Sequence, residues 1–388
     1  MAKNKIKSRH FTRSKRPFSR RAVLKGALAA GVAAGMGPWA VRDALSSSGE
    51  LRIMMWSDYL TKPVIEKFEK ATGIKVRITP YGSNEELLNR VKAMKGSGID
   101  LLSPTSSRME QWKPLGLLRP WDMSRVPVDA INEGMLENSL IAGGWEDAYH
   151  HLPFVWGTEG LAWRTDKWFR VSKELSYGDL WLPEMKGKIM GRDHSMLLST
   201  GLYLDRIGEL PSNRMLEGYK DEESMRRIWE KVTSYAIERR SWIKLFWHNA
   251  ETQINGFMHN GVVLGQTWDG PPIRLKNEGK PIAYEAPVEG ALGWIDGLSI
   301  ANGAENIDQI YEFIKFQYSP ENGALLSNET GYDSCASGVS RFLNDKMRKK
   351  FNDTFPGDAL GNIWWWPTEP SWYADLRSEF RDRFVTAR

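Results

Sequence analysis

Aromatic and carboxylate side chains occur together at three places in the sequence. The face of an aromatic ring attracts an ammonium group, and a carboxylate accepts a charge-assisted hydrogen bond from the same group. Between two ammonium groups, methylene groups can lie flat on the rings and lose contact with water. The combination therefore predicts a site for an organic cation such as a linear diamine or polyamine. The three groups are Trp56, Asp58 and Tyr59; Trp268 and Asp269; and Trp294 and Asp296.

Each group also has an ordinary structural interpretation. A tryptophan at the end of a strand often belongs to the core, and an aspartate there often caps the following helix. The recurrence of the same residue types at three strand ends favours the binding interpretation over three independent caps.

The first group lies in an alternating pattern of strands and helices. Pro63 suits the first turn of the first helix, Gly73 ends that helix, and Ser83 with Glu86 forms a capping-box pattern at the start of the second. Alternation of this kind predicts a parallel sheet with helices on both faces. The predicted strands are residues 51–56, 74–81 and 99–105, and the predicted helices are residues 61–73 and 83–96.

The rest of the chain continues this pattern without an internal repeat or a long linker, so we expect a second lobe joined to the first by strands. Ligands of open α/β sheets bind beyond the carboxyl ends of the strands. Thr105 and Ser106 follow one predicted strand end, and Asp193 follows another. Further strands are predicted at 151–166, 186–193, 261–270 and 289–301, and further helices at 194–208, 222–240, 306–318 and 321–329.

Charge is divided unevenly along the chain. Residues 1–42 carry eleven Lys or Arg residues and no Asp or Glu, whereas acids outnumber Lys and Arg by five from residue 44 onward. Proteins that bind nucleic acid usually have a basic folded domain, so we expect no nucleic-acid partner. The single cysteine, Cys335, excludes an intramolecular disulfide.

A basic segment followed by a short apolar run predicts a signal peptide over residues 1–45. Arg20 and Arg21 precede the Gly- and Ala-rich run 27–41 and resemble a twin-arginine export signal, with Val23 where that motif usually has Phe. The run is shorter than the roughly 20 residues that a membrane-spanning helix needs. We therefore expect export by the twin-arginine translocase, cleavage of the signal, and a soluble periplasmic protein.

Short motifs spread along the chain are specific when their order and spacing are taken together. In these motifs the sequence resembles the periplasmic spermidine/putrescine-binding proteins of ABC importers, from about residue 50 nearly to the C terminus. The motifs are WSDYL, VIEKFEKATGIKV, YGSNEELL, IDLLSPT, LPFVWGT, DLWLPEMKGKI, TWDG, WIDGLSIA and TGYDS.

The resemblance implies a type II periplasmic binding protein, an α/β fold with two lobes that close over a ligand. It implies a polyamine ligand and the permease subunits of an ABC importer as partners. We expect the first lobe to comprise residues 49–155 and 293–338, and the second to comprise 156–292 and 339–388. The binding residues expected by similarity and from the strand ends are Trp56, Ser57, Asp58, Tyr59, Thr105, Asp193, Trp268, Asp269, Trp294, Asp296 and Tyr332.

The sequence departs from this family pattern at two positions. Met196 stands where spermidine binders carry an acid, and Ser107 stands where they carry Tyr. With fewer acids, the ligand is expected to be shorter than spermidine, for example putrescine; alternatively, Met196 packs in the core and another residue supplies the acid. Glu159 is a candidate for that replacement, and Ser106 is a further candidate binding residue.

Two other function classes stay open. A solute-binding protein for another amine or for a sugar has a similar pattern, and a secreted glycoside hydrolase also combines carboxylates with indole rings. The recurrent acids favour an amine over a sugar. The sequence contains no G-x-S-x-G, H-E-x-x-H or P-loop motif, and the adjacent His150 and His151 do not predict a metal pair. We expect a binding protein without catalytic residues, metal or cofactor.

Overall fold

The structure is a computed structural model that describes residues 49–170, 174–359 and 361–387. The predicted signal peptide, with Arg20 and Arg21, lies outside the described residues. The strands are β1 (Glu50–Trp56), β2 (Lys75–Tyr81), β3 (Leu101–Leu102), β4 (Leu118–Arg119), β5 (Gly144–Trp145), β6 (Ala148–Tyr149), β7 (Leu152–Arg164), β8 (Ile189–Gly191), β9 (Ile243–Phe246), β10 (Leu264–Trp268), β11 (Ile282–Glu285), β12 (Leu292–Ala301), β13 (Asp333–Ser334) and β14 (Trp364–Trp365).

The α-helices alternate with the strands from β1 to β3, as the sequence pattern predicts, and less regularly in the rest of the described chain. Among the helices that the structure describes, none has both the length and the apolar character needed to cross a membrane. The helices are α1 (Lys62–Thr72), α2 (Asn84–Ala93), α3 (Glu133–Gly143), α4 (Asp193–Arg206), α5 (Glu222–Ile237), α6 (Ala250–Met258), α7 (Gly270–Asn277), α8 (Ile307–Gln317), α9 (Pro320–Thr330), α10 (Asp345–Thr354) and α11 (Ser371–Thr386).

Capping residues explain where the first two helices begin and end. Helix α1 has Pro63 in its first turn and is followed by Gly73, whose φ of +75° favours glycine. The Ser83 hydroxyl accepts a hydrogen bond from the Glu86 N–H at 3.1 Å, as expected for the start of α2. The Glu86 carboxylate binds the N–H of Gly82 at 2.8 Å, and α2 ends three residues before the predicted position.

Two long strands connect two groups of parallel strands. Strands β2, β1 and β3 are parallel to one another, and so are β10, β8 and β9. Strand β12 lies between β3 and β7, strand β7 lies between β12 and β10, and all three of these pairings are antiparallel. The mostly parallel sheet predicted for each lobe is confirmed, and β7 with β12 forms the connection between the lobes.

Strand β12 is irregular beside Asp296. Its register against β7 shifts between Asp296 and Gly297. A Cβ added to Gly297 would lie 2.2 Å from the His151 ring and 2.4 Å from the carbonyl oxygen of Leu152. Strand β7 approaches β12 so closely here that only glycine fits at position 297. This bulge fixes the position of the carboxylate of Asp296, the preceding residue.

The C-terminal segment folds back onto the second lobe. Strand β14 pairs with the start of β12, and α11 packs against α5 with the rings of Phe380 and Trp229 6.0 Å apart. This packing brings the loop between β14 and α11, which includes Trp366 and Glu369, to the opening between the lobes.

Candidate ligand-binding site

A cleft lies between the two lobes, at the carboxyl ends of β1 and β10 and beside the middle of β12. Most of the residues predicted from the sequence meet in this cleft. Those that line it are Trp56, Asp58, Tyr59, Thr105, Glu159, Trp268, Trp294, Asp296 and Tyr332.

Asp296 is the most enclosed carboxylate on the first-lobe side of the cleft. It is 4% exposed and accepts hydrogen bonds from the Tyr59 hydroxyl and from Thr105 Oγ1, the latter at 2.5 Å. Burial raises the pKa of Asp296 to about 7, although these two hydrogen bonds oppose the rise. The charge of Arg192 also lowers this pKa, but no described cation forms an ion pair with the carboxylate, so burial has the larger effect.

Asp58 is a second carboxylate near Asp296. It lies in the turn after β1 and accepts a hydrogen bond from the Tyr332 hydroxyl at 2.8 Å. Burial raises the pKa of Asp58, and the charge of Asp58 contributes to the raised pKa of Asp296. Two nearby carboxylates with raised pKa values form a site that a cation would stabilise.

Aromatic rings enclose the two carboxylates. The rings of Tyr59 and Trp294 are nearly parallel, at 13°, with centroids 6.3 Å apart. Tyr332 presents its ring edge-on to both of them, at 5.3 and 5.5 Å. On the other wall, Trp268 lies edge-on to Trp56 at 6.1 Å. The cleft thus offers aromatic faces beside carboxylates, as the sequence predicts.

Glu159 contributes a third carboxylate, from strand β7. It is 2% exposed and accepts hydrogen bonds from Ser195 at 3.1 Å and from Gln266 at 2.8 Å, and burial raises the pKa of Glu159 to about 7. Met196 is fully buried in the second-lobe core, against Gly191. The alternative in which Met196 is a core residue is therefore the one observed, and Glu159 is one of the acids that line the cleft.

Four predicted residues are not among those lining the cleft. Ser57 is exposed, and Ser106 begins a short 3₁₀ helix after Thr105. The Asp193 carboxylate binds the backbone N–H and the ring of its neighbour His194, at 2.8 and 3.1 Å. Each of these side chains is therefore directed to local contacts or to solvent.

Asp269, the fourth of these residues, belongs to a buried ion cluster behind the cleft. Lys350 Nζ lies 3.4 Å from Asp269 and 2.7 Å from Asp333, and all three side chains are almost completely buried. Burial raises the pKa of Asp269, while the ammonium group of Lys350 lowers it. Since Lys350 comes from helix α10, far along the chain, the strand-end pattern gave no sign of this structural partner.

Several cleft residues were not predicted as binding residues. Ser107 and Glu369 connect the two walls, because the N–H of Glu369 donates to the carbonyl of Ser107 at 2.8 Å. The other unpredicted residues that line the cleft are Asn84, Glu85, Arg108, Arg192, His194, Trp366 and Arg377.

A cluster of four charged side chains closes one end of the cleft. Arg108 pairs with both Glu85 and Glu369, and Arg377 pairs with the same two carboxylates at 3.1 and 3.2 Å. Burial alone would raise the pKa of Glu85, but the two guanidinium groups lower it below its usual value. Glu85 lies on α2, Arg108 lies in the 3₁₀ helix after β3, and Arg377 lies on α11, so the cluster links the C-terminal helix to the segments that follow β2 and β3.

The fold and the cleft define a class of protein. Two α/β lobes are connected by paired strands, and a cleft between them is lined with rings and carboxylates. Within the described residues, no cluster of His, Cys, Asp or Glu has an arrangement that could hold a metal ion. The structure is similar to that of a spermidine/putrescine ABC transporter protein from Listeria monocytogenes, with a TM-score of 0.73 and 22% identity over 88% of this chain and 100% of that chain. The fold is therefore that of the type II periplasmic binding proteins.

Sequence comparison assigns the family. Residues 64–350 match the family described as bacterial extracellular solute-binding protein, and the chain belongs to that family. It is 24% identical over 333 residues to the spermidine/putrescine-binding periplasmic protein of Escherichia coli, covering 85% of this chain and 88% of the relative. It is 26% identical over 329 residues to a putrescine-binding periplasmic protein of the same organism, covering 81% and 85%. The similarity thus extends over nearly the whole length of both relatives.

Proposed function

We propose that the protein captures a small organic amine, a polyamine or a related organic cation, outside the cytoplasm and delivers it to the permease of an ABC importer. The observation that carries this proposal is the pair of carboxylates, Asp58 and Asp296, inside an aromatic enclosure. Both carboxylates have a raised pKa, and the hydrogen bonds given to them come from neutral hydroxyl groups. An ammonium group would supply the positive charge that this site lacks.

The energetic reason is the low polarity of the enclosure. An ionised carboxylate loses hydration when it is buried, and a cation in direct contact restores much of that loss. A ring face adds roughly 2 kcal/mol for a desolvated cation. The rings of Tyr59, Trp294 and Tyr332 lie within 6.3 Å of one another and surround this position.

The names of the relatives support an amine ligand. Two relatives that match over most of their length are named for spermidine and putrescine. The cleft residues also favour an amine over a sugar, because Asn84 is the only Asn or Gln among the described side chains that line it, whereas five lining residues are acids. Sugar hydroxyls are more commonly held by mixed donors and acceptors.

A thermal-shift screen tests this proposal. We expect the mature protein to be stabilised by amines and not by neutral sugars. An amine at 100 times its dissociation constant should raise the free energy of unfolding by about 2.7 kcal/mol. Neutral sugars of similar size are the matched controls. A sugar that stabilises the protein, together with amines that do not, would contradict the amine proposal while leaving the solute-binding family assignment unchanged.

Export is expected to require Arg20 and Arg21. A twin-arginine signal depends on the guanidinium pair, so replacing both residues with Lys keeps the charge and removes the recognised groups. The doubly substituted precursor should stay in the cytoplasm, as measured by fractionation and immunoblotting. Lys15→Arg and Arg16→Lys, which replace one basic side chain by another outside the motif, form the control. Normal export of the Arg20→Lys, Arg21→Lys variant would show that another export pathway is used.

A further inference from the structure

One arginine of the cleft forms no ion pair with a described carboxylate. Arg192 follows strand β8, lines the cleft, and is partly buried. Its guanidinium carbon lies 5.4 Å from the ring centroid of Trp268 and 5.8 Å from that of Trp247. Within the described part of the chain, no carboxylate lies within 4 Å of this group, whereas Arg108 and Arg377 each have two carboxylate partners.

The surroundings of Arg192 increase the positive potential on this wall. Helix α4, of 14 residues, begins at the next residue, so its N-terminal end adds a partial positive charge. Asp193 offsets part of this effect, since its carboxylate binds the N–H and ring of His194. The guanidinium group forms no ion pair with a described carboxylate, although its charge acts on Glu159 and Asp296, and its fork of N–H donors matches a carboxylate.

The second-lobe side of the cleft combines a cation with a carboxylate. Asp58 and Asp296, with their rings, form a subsite for a cation on the first-lobe side. Arg192, on the second lobe, lies close enough to act on the charges of both Asp296 and Glu159. A ligand with an ammonium group at each end would bring one of them towards the guanidinium group of Arg192, whose repulsion offsets the attraction of Glu159.

We propose that the ligand is an aminocarboxylate, whose ammonium group binds at Asp58 and Asp296 and whose carboxylate pairs with Arg192. This inference rests on the proposed function, because it takes the amine subsite as given and narrows the class of amine. It assigns to Arg192 the role of selecting ligands with an acidic group. The aliphatic part of the ligand then lies along Trp268 and Trp294, between the two charged subsites.

Calorimetry with matched ligand pairs tests the inference. The probes are 4-aminobutanoate against 1,4-diaminobutane, and 5-aminopentanoate against 1,5-diaminopentane, with wild-type protein, Arg192→Gln and Arg192→Lys. We expect wild type to bind the better aminocarboxylate at least about tenfold more tightly than its diamine counterpart. Arg192→Gln should weaken aminocarboxylate binding by roughly 10- to 100-fold, the range for a charge-assisted hydrogen bond, and should leave diamine binding equal or tighter. Arg192→Lys should retain part of the preference.

The outcomes separate this inference from the proposed function. If wild type prefers the diamines and Arg192→Gln leaves the ratio of affinities unchanged, the role of Arg192 is overturned and amine binding still stands. If neither member of either pair binds, both the inference and the amine proposal are overturned. Because Arg192 is partly exposed and forms no ion pair, the substitutions should fold, and the unfolding temperature of each free variant verifies this.

Discussion

Replacing Asp296 with Asn should weaken ligand binding by about 2–5 kcal/mol, or roughly 30-fold to several-thousand-fold in the dissociation constant. Asn keeps the size and shape of the side chain and removes its charge. A buried ammonium group would then have lost the partner that compensates for its lost hydration. Isothermal titration at pH 8, with the amine that gives the largest thermal shift, measures the loss.

The control for this substitution is Asp122→Asn. Asp122 caps a short 3₁₀ helix by accepting from the Ser124 N–H at 3.1 Å, and it does not line the cleft. Its replacement should leave affinity within about twofold, because the charge of this exposed side chain is screened by solvent and salt. Equal affinities of wild type and Asp296→Asn would rule out a direct pairing of Asp296 with the ligand. The comparison of wild type with Asp296→Asn does not test the role proposed for Arg192.

Ligand affinity should fall as the pH falls below about 7. In the free protein the pKa of Asp296 is raised to about 7 by burial, and a bound ammonium group favours the ionised form. Protonation of Asp296 therefore competes with the ligand, and the dissociation constant should rise about tenfold per pH unit below that value. Between pH 8 and pH 5 this amounts to about 100-fold. Amine groups with pKa values near 10 stay charged throughout this range.

Titration in two buffers with different ionisation enthalpies measures the protons released on binding. Near pH 6 we expect close to one proton per ligand, or more if Glu159, whose pKa is also raised to about 7, responds as well. His194 does not contribute at this pH, because burial lowers its pKa to about 4. An affinity that is constant from pH 5 to pH 8 would contradict a direct ion pair between Asp296 and the ammonium group of the ligand.

The stability of the free protein has the opposite pH dependence. The pKa of Asp296 is higher in the folded state than the value of roughly 4 in the unfolded chain. Its contribution to stability is therefore greatest below the unfolded pKa and is lost as the pH rises through about 7. A cationic ligand should accordingly stabilise the protein most at pH 8, where the ionised carboxylate of Asp296 destabilises the free protein most.

The sequence predicted the fold and one wall of the cleft well. Trp56, Asp58 and Tyr59 follow a strongly apolar strand, and Trp294 with Asp296 lies within another. The strand-end rule of open sheets accounts for the first group, at the end of β1. Trp294 and Asp296 reach the cleft from the third and fifth positions of β12, not from a strand end as the sequence pattern predicted. Glu159 became a candidate for a different reason, as a replacement for the acid that the resembled family carries at the position of Met196, and it lines the cleft.

The second wall was harder to predict because local pattern and tertiary packing disagree there. The strand-end rule pointed to Asp193, but the turn between β8 and α4 directs the preceding residue, Arg192, into the cleft. The rule also pointed to Asp269, for which helix α10 supplies a buried lysine. Glu369 and Arg377 lie in a segment without an alternating pattern, and their position depends on how α11 packs.

Strand β12 has a mechanical consequence, because it carries Asp296 and also connects the lobes. The bulge between Asp296 and Gly297 lies on this strand, close to the point where its pairing changes from β3 to β7. We therefore expect a solute that binds Asp296 to shift this strand and with it the angle between the lobes. A permease that contacts only the outer surface of the protein could then distinguish the loaded form from the free form.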